Sequence, residues 1–122
     1  PVSTVELTGR EIWNMLEGNA ELTFSRDPYQ QMGGYLKRCR GLNLYLKIEN
    51  PFGERVQEIF IQGKALEPGK TYQAVFVTSQ GVPSSYGRNR EETDLRAVEA
   101  LKHYVEDEKI VETPLEGNVV AV

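Results

Sequence analysis

The chain has 122 residues, the length of one ordinary domain. Its 14 basic and 18 acidic residues leave a net charge of −4, which argues against the basic face of a nucleic-acid binder. No apolar run approaches the ~20 residues of a membrane-spanning helix, and the single Cys39 cannot close an internal disulfide. A chain that opens on Pro1 rather than Met reads as a piece cut from a longer protein.

Val5 and Leu7 alternate with Thr4 and Glu6, the period of a half-buried strand. Thr8 then reads as a helix N-cap, with Glu11 three residues on to complete a capping box. Ile12, Met15 and Leu16 supply an apolar stripe, Gly18 reads as a C-terminal stop, and Ala20 to Phe24 as a second short helix before Asp27-Pro28. Leu42, Leu44, Leu46 and Ile48 alternate as a strand. Asn50-Pro51-Phe52-Gly53 turns the chain. Val56, Ile59 and Ile61 return it, with a slip in the alternation near Glu58 that suggests a bulge.

Gly63-Lys64 and Glu67-Pro68-Gly69-Lys70 are turns, and Tyr72 to Thr78 is a further strand. Its run Ala74-Val75-Phe76-Val77 is nearly continuous and is expected to be buried on both faces. A loop from Ser79 to Arg90 follows, longer than most idle connections. Thr93 to Glu106 is a helix with Leu95, Val98, Leu101 and Val105 on one face. Residues 109–111 and 118–122 are expected to be strands. The order gives an α+β domain over 1–122, with a mixed or antiparallel sheet and flanking helices.

The chemistry is informative mainly by what is missing. His103 is the only histidine, mid-helix, and the aspartates are Asp27, Asp94 and Asp107. A dinuclear phosphoesterase centre needs several such ligands aimed at one point, and this chain does not hold them. The spacing of His103 and Asp107 suits a solvated surface pair. Trp13 reads as core or interface packing, and Gly33, Gly34 and Gly41 as sites of positive φ rather than a phosphate cradle.

Two groups remain as anion-binding candidates. Arg38 and Arg40, beside Lys37, fall on one side of an extended segment, where two guanidinium forks can meet one oxyanion. A charged edge strand protected from aggregation would look the same. In the loop, Ser79, Gln80, Tyr86, Arg88 and Arg90 combine hydroxyl, amide, aromatic and cationic groups suited to an anionic or planar ligand. Cys39, flanked by Arg38 and Arg40, is either a partly buried thiol or one whose pKa these neighbours lower.

Three stretches carry a family resemblance: VSTVELTGREIWNMLE at the start, DPYQQMGG at 27–34 and GKALEPGKTYQAVFVTSQG at 63–81. The last holds a G-x-x-L-x-P-x-K-x-Y pattern in Gly63, Leu66, Pro68, Lys70 and Tyr72. Together they resemble the C-terminal domain of the 5'-nucleotidase superfamily, leaning to its SoxB-like thiosulfohydrolase branch. Where nucleotidases of that family carry an Asn-Phe and a Gly-Gly-Asp loop, this chain reads TSQGVPSSYG at 78–87, which turns the reading away from nucleotides.

The resemblance implies a parent of two domains. Its N-terminal calcineurin-like domain would hold two divalent metals, Mn or Zn, and this chain none. The substrate would be an anionic small molecule or a group on a carrier protein, met in the periplasm or outside the cell. On this reading the chain alone is not an enzyme; it positions substrate for the other domain. The competing readings are a non-catalytic interaction module anchored by Tyr86 and Arg88, and a small enzyme using Cys39.

Overall fold

A computed structural model of the chain describes residues 1–32, 35–109 and 118–122. Its elements are β1 (Ser3–Thr8), α1 (Gly9–Phe24), β2 (Leu42–Leu46), β3 (Val56–Ile61), β4 (Lys64–Ala65), β5 (Thr71–Phe76), β6 (Arg88–Glu92), α2 (Ala97–Glu108) and β7 (Val119–Ala121). The strands make two sheets, ordered β5-β1-β6 and β4-β3-β2-β7. The second is mixed, since β2 runs antiparallel to β3 and parallel to β7. The α+β class read from the sequence is the class observed. Contacts gather into two compact units, Pro1–Leu7 with Thr71–Glu116 and Thr8–Lys70 with Gly117–Val122.

In the second unit, Thr8 caps α1 as its sequence requires. Its hydroxyl accepts from the Glu11 amide at 3.2 Å, and the Glu11 carboxylate accepts from the Thr8 amide at 3.1 Å. The next two orphan donors go to the 67–70 turn: Gly9 N–H to the Lys70 carbonyl at 2.9 Å and Arg10 N–H to that of Pro68 at 3.1 Å. Ile12, Met15, Leu16 and Ala20 form the buried stripe, and α1 packs on β3. Burying each leucine or isoleucine is worth about 1.5–3 kcal/mol. Leu44, Leu46, Val56 and Ile59 complete this core. The expected slip near Glu58 is present: Tyr45 pairs with Glu58 and Leu46 with Val56, so Gln57 bulges.

α1 corrects the expected stop at Gly18. It continues unbroken to Phe24, and Ser25 ends it with its amide on the Glu21 carbonyl at 2.9 Å. A mid-helix glycine costs only about 1 kcal/mol. Here the buried Glu17 and Ala20 on either side give the next turns a reason to stay helical. Pro28, four residues past the end, is the effective barrier.

In the first unit β1 is the central strand, and its Val5 and Leu7 are buried, as is Val82. The expectation that β5 is buried on both faces does not hold. Tyr72, Ala74 and Phe76 are half-buried, while Val75 is 67% and Val77 53% exposed. β5 is an edge strand, so its apolar run follows strand propensity rather than two-sided burial.

α2 starts at Ala97, later than its apolar period suggested. Thr93 and Leu95 are held instead to Val2, just before β1: the Thr93 N–H donates to the Val2 carbonyl at 2.8 Å, and the Val2 N–H to that of Leu95 at 2.7 Å. Lys109 is the C-cap of α2 with φ 59°, not the start of a strand; residues 110–111 lie outside the described residues. Val119–Ala121 does form the expected terminal strand.

Candidate functional site

The loop of interest is bracketed by β5 and β6. Gly81 N–H donates to the Thr78 carbonyl at 2.8 Å, and Tyr86 N–H to that of Pro83 at 3.1 Å, so two tight turns build it. Val82 is its buried residue. Ser79 and Gln80 are exposed at its first turn, and Tyr86 is half-buried at its end.

Arg88 and Arg90 lie on strand β6 and not on the loop, which corrects the extent read from the sequence. Thr4 pairs with Glu91 and Glu6 with Arg88, so two residues of β6 oppose one of β1. Asn89, at φ 53°, takes up the extra residue. The bulge re-aims the two arginines. Arg88 donates to the Thr71 hydroxyl at 3.1 Å and sits 3.8 Å from the Glu6 carboxylate, both exposed. A solvated pair of that kind is worth at most about 1 kcal/mol, so Arg88 is available to a ligand at little cost.

Arg90 has a different task. Its guanidinium donates to the carbonyls of Val82 and Pro83 at 2.9 Å and of Tyr86 at 3.2 Å, and lies 4.8 Å over the Phe76 ring. It ties the loop to the strand. Neither the bulge nor this tie carries a local signal, which is why sequence reasoning treated both arginines alike.

Arg38 and Arg40 belong to the other unit, and both are exposed. Next to them Cys39 is half-buried, and its carbonyl accepts from the Asn118 side chain. Burial pushes its thiol above the ordinary cysteine range, opposed by the nearby Lys37 charge. Burial likewise lowers the Lys37 ammonium, opposed by the Cys39 charge. The activated-thiol reading is therefore reversed. A raised pKa means less thiolate at a given pH. Cys39 is expected to alkylate with iodoacetamide at pH 8 several-fold more slowly than free cysteine; a rate equal to or above that of glutathione would contradict this environment.

The polar centre that sequence reasoning missed lies between α1 and the 50–55 turn. Glu17 is buried and its carboxylate accepts three backbone N–H groups, from Gly53 at 2.9 Å, Arg55 at 3.0 Å and Val56 at 2.8 Å. Arg55, also buried, donates to the carbonyls of Ile48 and Phe24 at 3.2 Å and pairs with Glu21. The Arg55 hydrogen bond holds the Glu21 carboxyl below its usual range, against a smaller opposing effect of burial. A cavity of about 280 Å³ opens here, lined by Ser25, Arg26, Asp27 and Phe52 among others. Its charged groups are engaged in holding the turn, and no buried side-chain polar atom among the described residues lacks a partner.

Among the described residues no three His, Cys, Asp or Glu side chains gather as metal ligands, and His103 and Asp107 are both exposed on α2. The described residues do not fit a two-metal centre. No helix among them is long and apolar enough to cross a membrane.

The family model described as the 5'-nucleotidase C-terminal domain matches residues 1–79. The chain belongs to the 5'-nucleotidase C-terminal domain family. Among solved structures it is similar to the sulfate thiohydrolase SoxB of Thermus thermophilus, solved in complex with glycerol, at 28% identity and a TM-score of 0.85. That match covers 99% of this chain and 22% of SoxB. It also shares its fold with a 5'-nucleotidase precursor, again from Thermus thermophilus, at 22% identity and a TM-score of 0.73, over 99% of this chain and 25% of the other. The chain thus spans about a fifth to a quarter of the structures it matches. Curated proteins give no match. The family signature has a structural meaning: Pro68 and Lys70 supply the carbonyls that cap α1 at Gly9 and Arg10.

Proposed function

We propose that this chain is the substrate-recognition half of a two-domain, metal-dependent hydrolase of the SoxB-like branch, located in the periplasm or outside the cell. The observation that carries the reading is the likeness to SoxB across 99% of this chain, which accounts for only 22% of SoxB. The catalytic metals, two divalent ions such as Mn or Zn, would belong to an N-terminal metallophosphoesterase domain of the same parent. The substrate would be an anionic small molecule or an anionic group on a carrier protein.

The part played by this chain is positioning. Arg88 offers a weakly committed guanidinium, Ser79, Gln80 and Tyr86 belong to the loop before it, and Arg90 keeps that loop in place. Arg38 and Arg40, in the other unit, are a separate source of positive charge.

The test is hydrolysis by the full-length parent with Mn²⁺, run beside this chain. Its substrates would be nucleoside monophosphates, nucleotide sugars and a thiosulfonate-loaded cysteine peptide. Turnover in the parent alone is the expected result, and turnover by this chain alone would overturn the reading. Arg88→Ala in the parent should raise KM about tenfold with kcat nearly unchanged, the signature of lost uniform binding. Unchanged kinetics would remove Arg88 from the site, and a well-folded, metal-loaded parent without activity would favour an interaction module.

A further inference from the structure

After α1, Met32, Tyr35 and Lys37 each return a backbone hydrogen bond to the helix. Met32 N–H donates to the Leu22 carbonyl at 3.0 Å. The Tyr35 carbonyl accepts from the Asn19 amide at 3.3 Å and from the Thr23 hydroxyl at 3.2 Å, while the Asn19 side-chain carbonyl accepts from Lys37 N–H at 2.8 Å. Asn19 thus grips the backbone on both sides of Leu36, as a neighbouring strand would. The opposite face of α1, with Ile12, Met15, Leu16 and Ala20, is already buried.

Fixing the backbone in this way leaves large apolar side chains outside. Tyr29 is 93%, Met32 74% and Tyr35 62% exposed, and Leu22 is exposed beside Met32. Exposed aromatic and thioether side chains of this size are candidates for contact with a partner. Tyrosine, methionine and arginine are the types enriched at interface cores, where aspartate and glutamate are depleted. From Tyr29 to Gly41 there is no acidic residue, while Lys37, Arg38 and Arg40 are cationic in a chain of net charge −4.

We infer that Leu22, Met32, Tyr35, Arg38 and Arg40 form a docking surface for an acidic polypeptide segment that carries apolar anchors. The charge selects the partner: an acidic segment is drawn to Lys37, Arg38 and Arg40, whose stretch from Tyr29 to Gly41 holds no acidic residue. The hydrogen bonds of Met32, Tyr35 and Lys37 to α1 hold these positions before binding, which keeps their ordering cost low. The inference does not depend on the parent being a hydrolase, because it is read as binding to this chain and not as turnover.

The test is fluorescence anisotropy with a labelled peptide of alternating Asp/Glu and Leu/Phe, beside the same peptide with Lys for every acid. The acidic peptide should bind, more weakly as salt rises, and the basic one should not. Arg38→Glu with Arg40→Glu should lower affinity at least about tenfold. Met32→Ala and Tyr35→Ala should each lower it about threefold or more. Circular dichroism melts should show these variants folded, since all four side chains are outside the core.

Three results would overturn the inference. One is no binding of the acidic peptide, or equal binding of both peptides. Another is binding of single-stranded DNA in its place. The third is self-association in sedimentation that the charge reversal abolishes, which would make the occupant a second copy.

Discussion

Replacing Glu17 with alanine is expected to remove about 3–5 kcal/mol of folding stability, a large part of what a domain this size has. Its two carboxylate oxygens serve three backbone donors, Gly53, Arg55 and Val56, at a buried position. A buried donor left without its partner costs about 1–3 kcal/mol, so losing three acceptor contacts dominates the small gain in helix propensity from alanine. The loss should propagate. Arg55 N–H is one of the three donors, and its guanidinium holds Ile48, Phe24 and Glu21 around the same turn. Urea unfolding of the two chains measures the effect, with Glu17→Gln expected to fall between them. A cost below about 1 kcal/mol would mean that water replaces the carboxylate and that the turn is held by Arg55 alone.

The features legible in the sequence are those whose cause is local. Thr8 and Glu11 stand at capping-box spacing, and the box is formed. Leu42, Leu44 and Leu46 alternate, and β2 follows. The irregular spacing around Glu58 marks a bulge one residue away, at Gln57.

Long-range polar contacts were hidden. Glu17 and Arg55 lie 38 positions apart, and each reads as an ordinary surface charge until the fold brings them together. The same holds for Asn19, whose grip on Tyr35 and Lys37 helps explain why α1 outlasts Gly18. In the candidate loop the sequence named the right neighbourhood. It could not separate Arg88, which stays exposed beside Glu6, from Arg90, which binds carbonyls of its own loop, because a bulge at Asn89 decides between them.

Gly9→Ala separates two physical arguments by the sign of its effect. Gly9 is the first residue of α1, where helix propensity alone favours alanine by up to about 1 kcal/mol. The packing says the opposite. A Cβ at this position would run into the Glu67 carbonyl oxygen, stand 2.7 Å from the Glu67 carbonyl carbon and 2.9 Å from Pro68 Cα. All of these are backbone atoms of the 67–70 turn, which cannot rotate away as a side chain would.

That turn must also stay close, because Gly9 and Arg10 donate to its Lys70 and Pro68 carbonyls. Moving it far enough to admit a methyl group would break both hydrogen bonds and leave two helix donors without partners. The expected result is therefore destabilisation of about 2–4 kcal/mol, the sum of overpacking and lost capping. Faster amide exchange at Arg10 should accompany it. A more stable variant would show that the turn can yield, and that the pairing of Thr8-Gly9 with Glu67–Lys70 is a preference rather than a requirement of this fold.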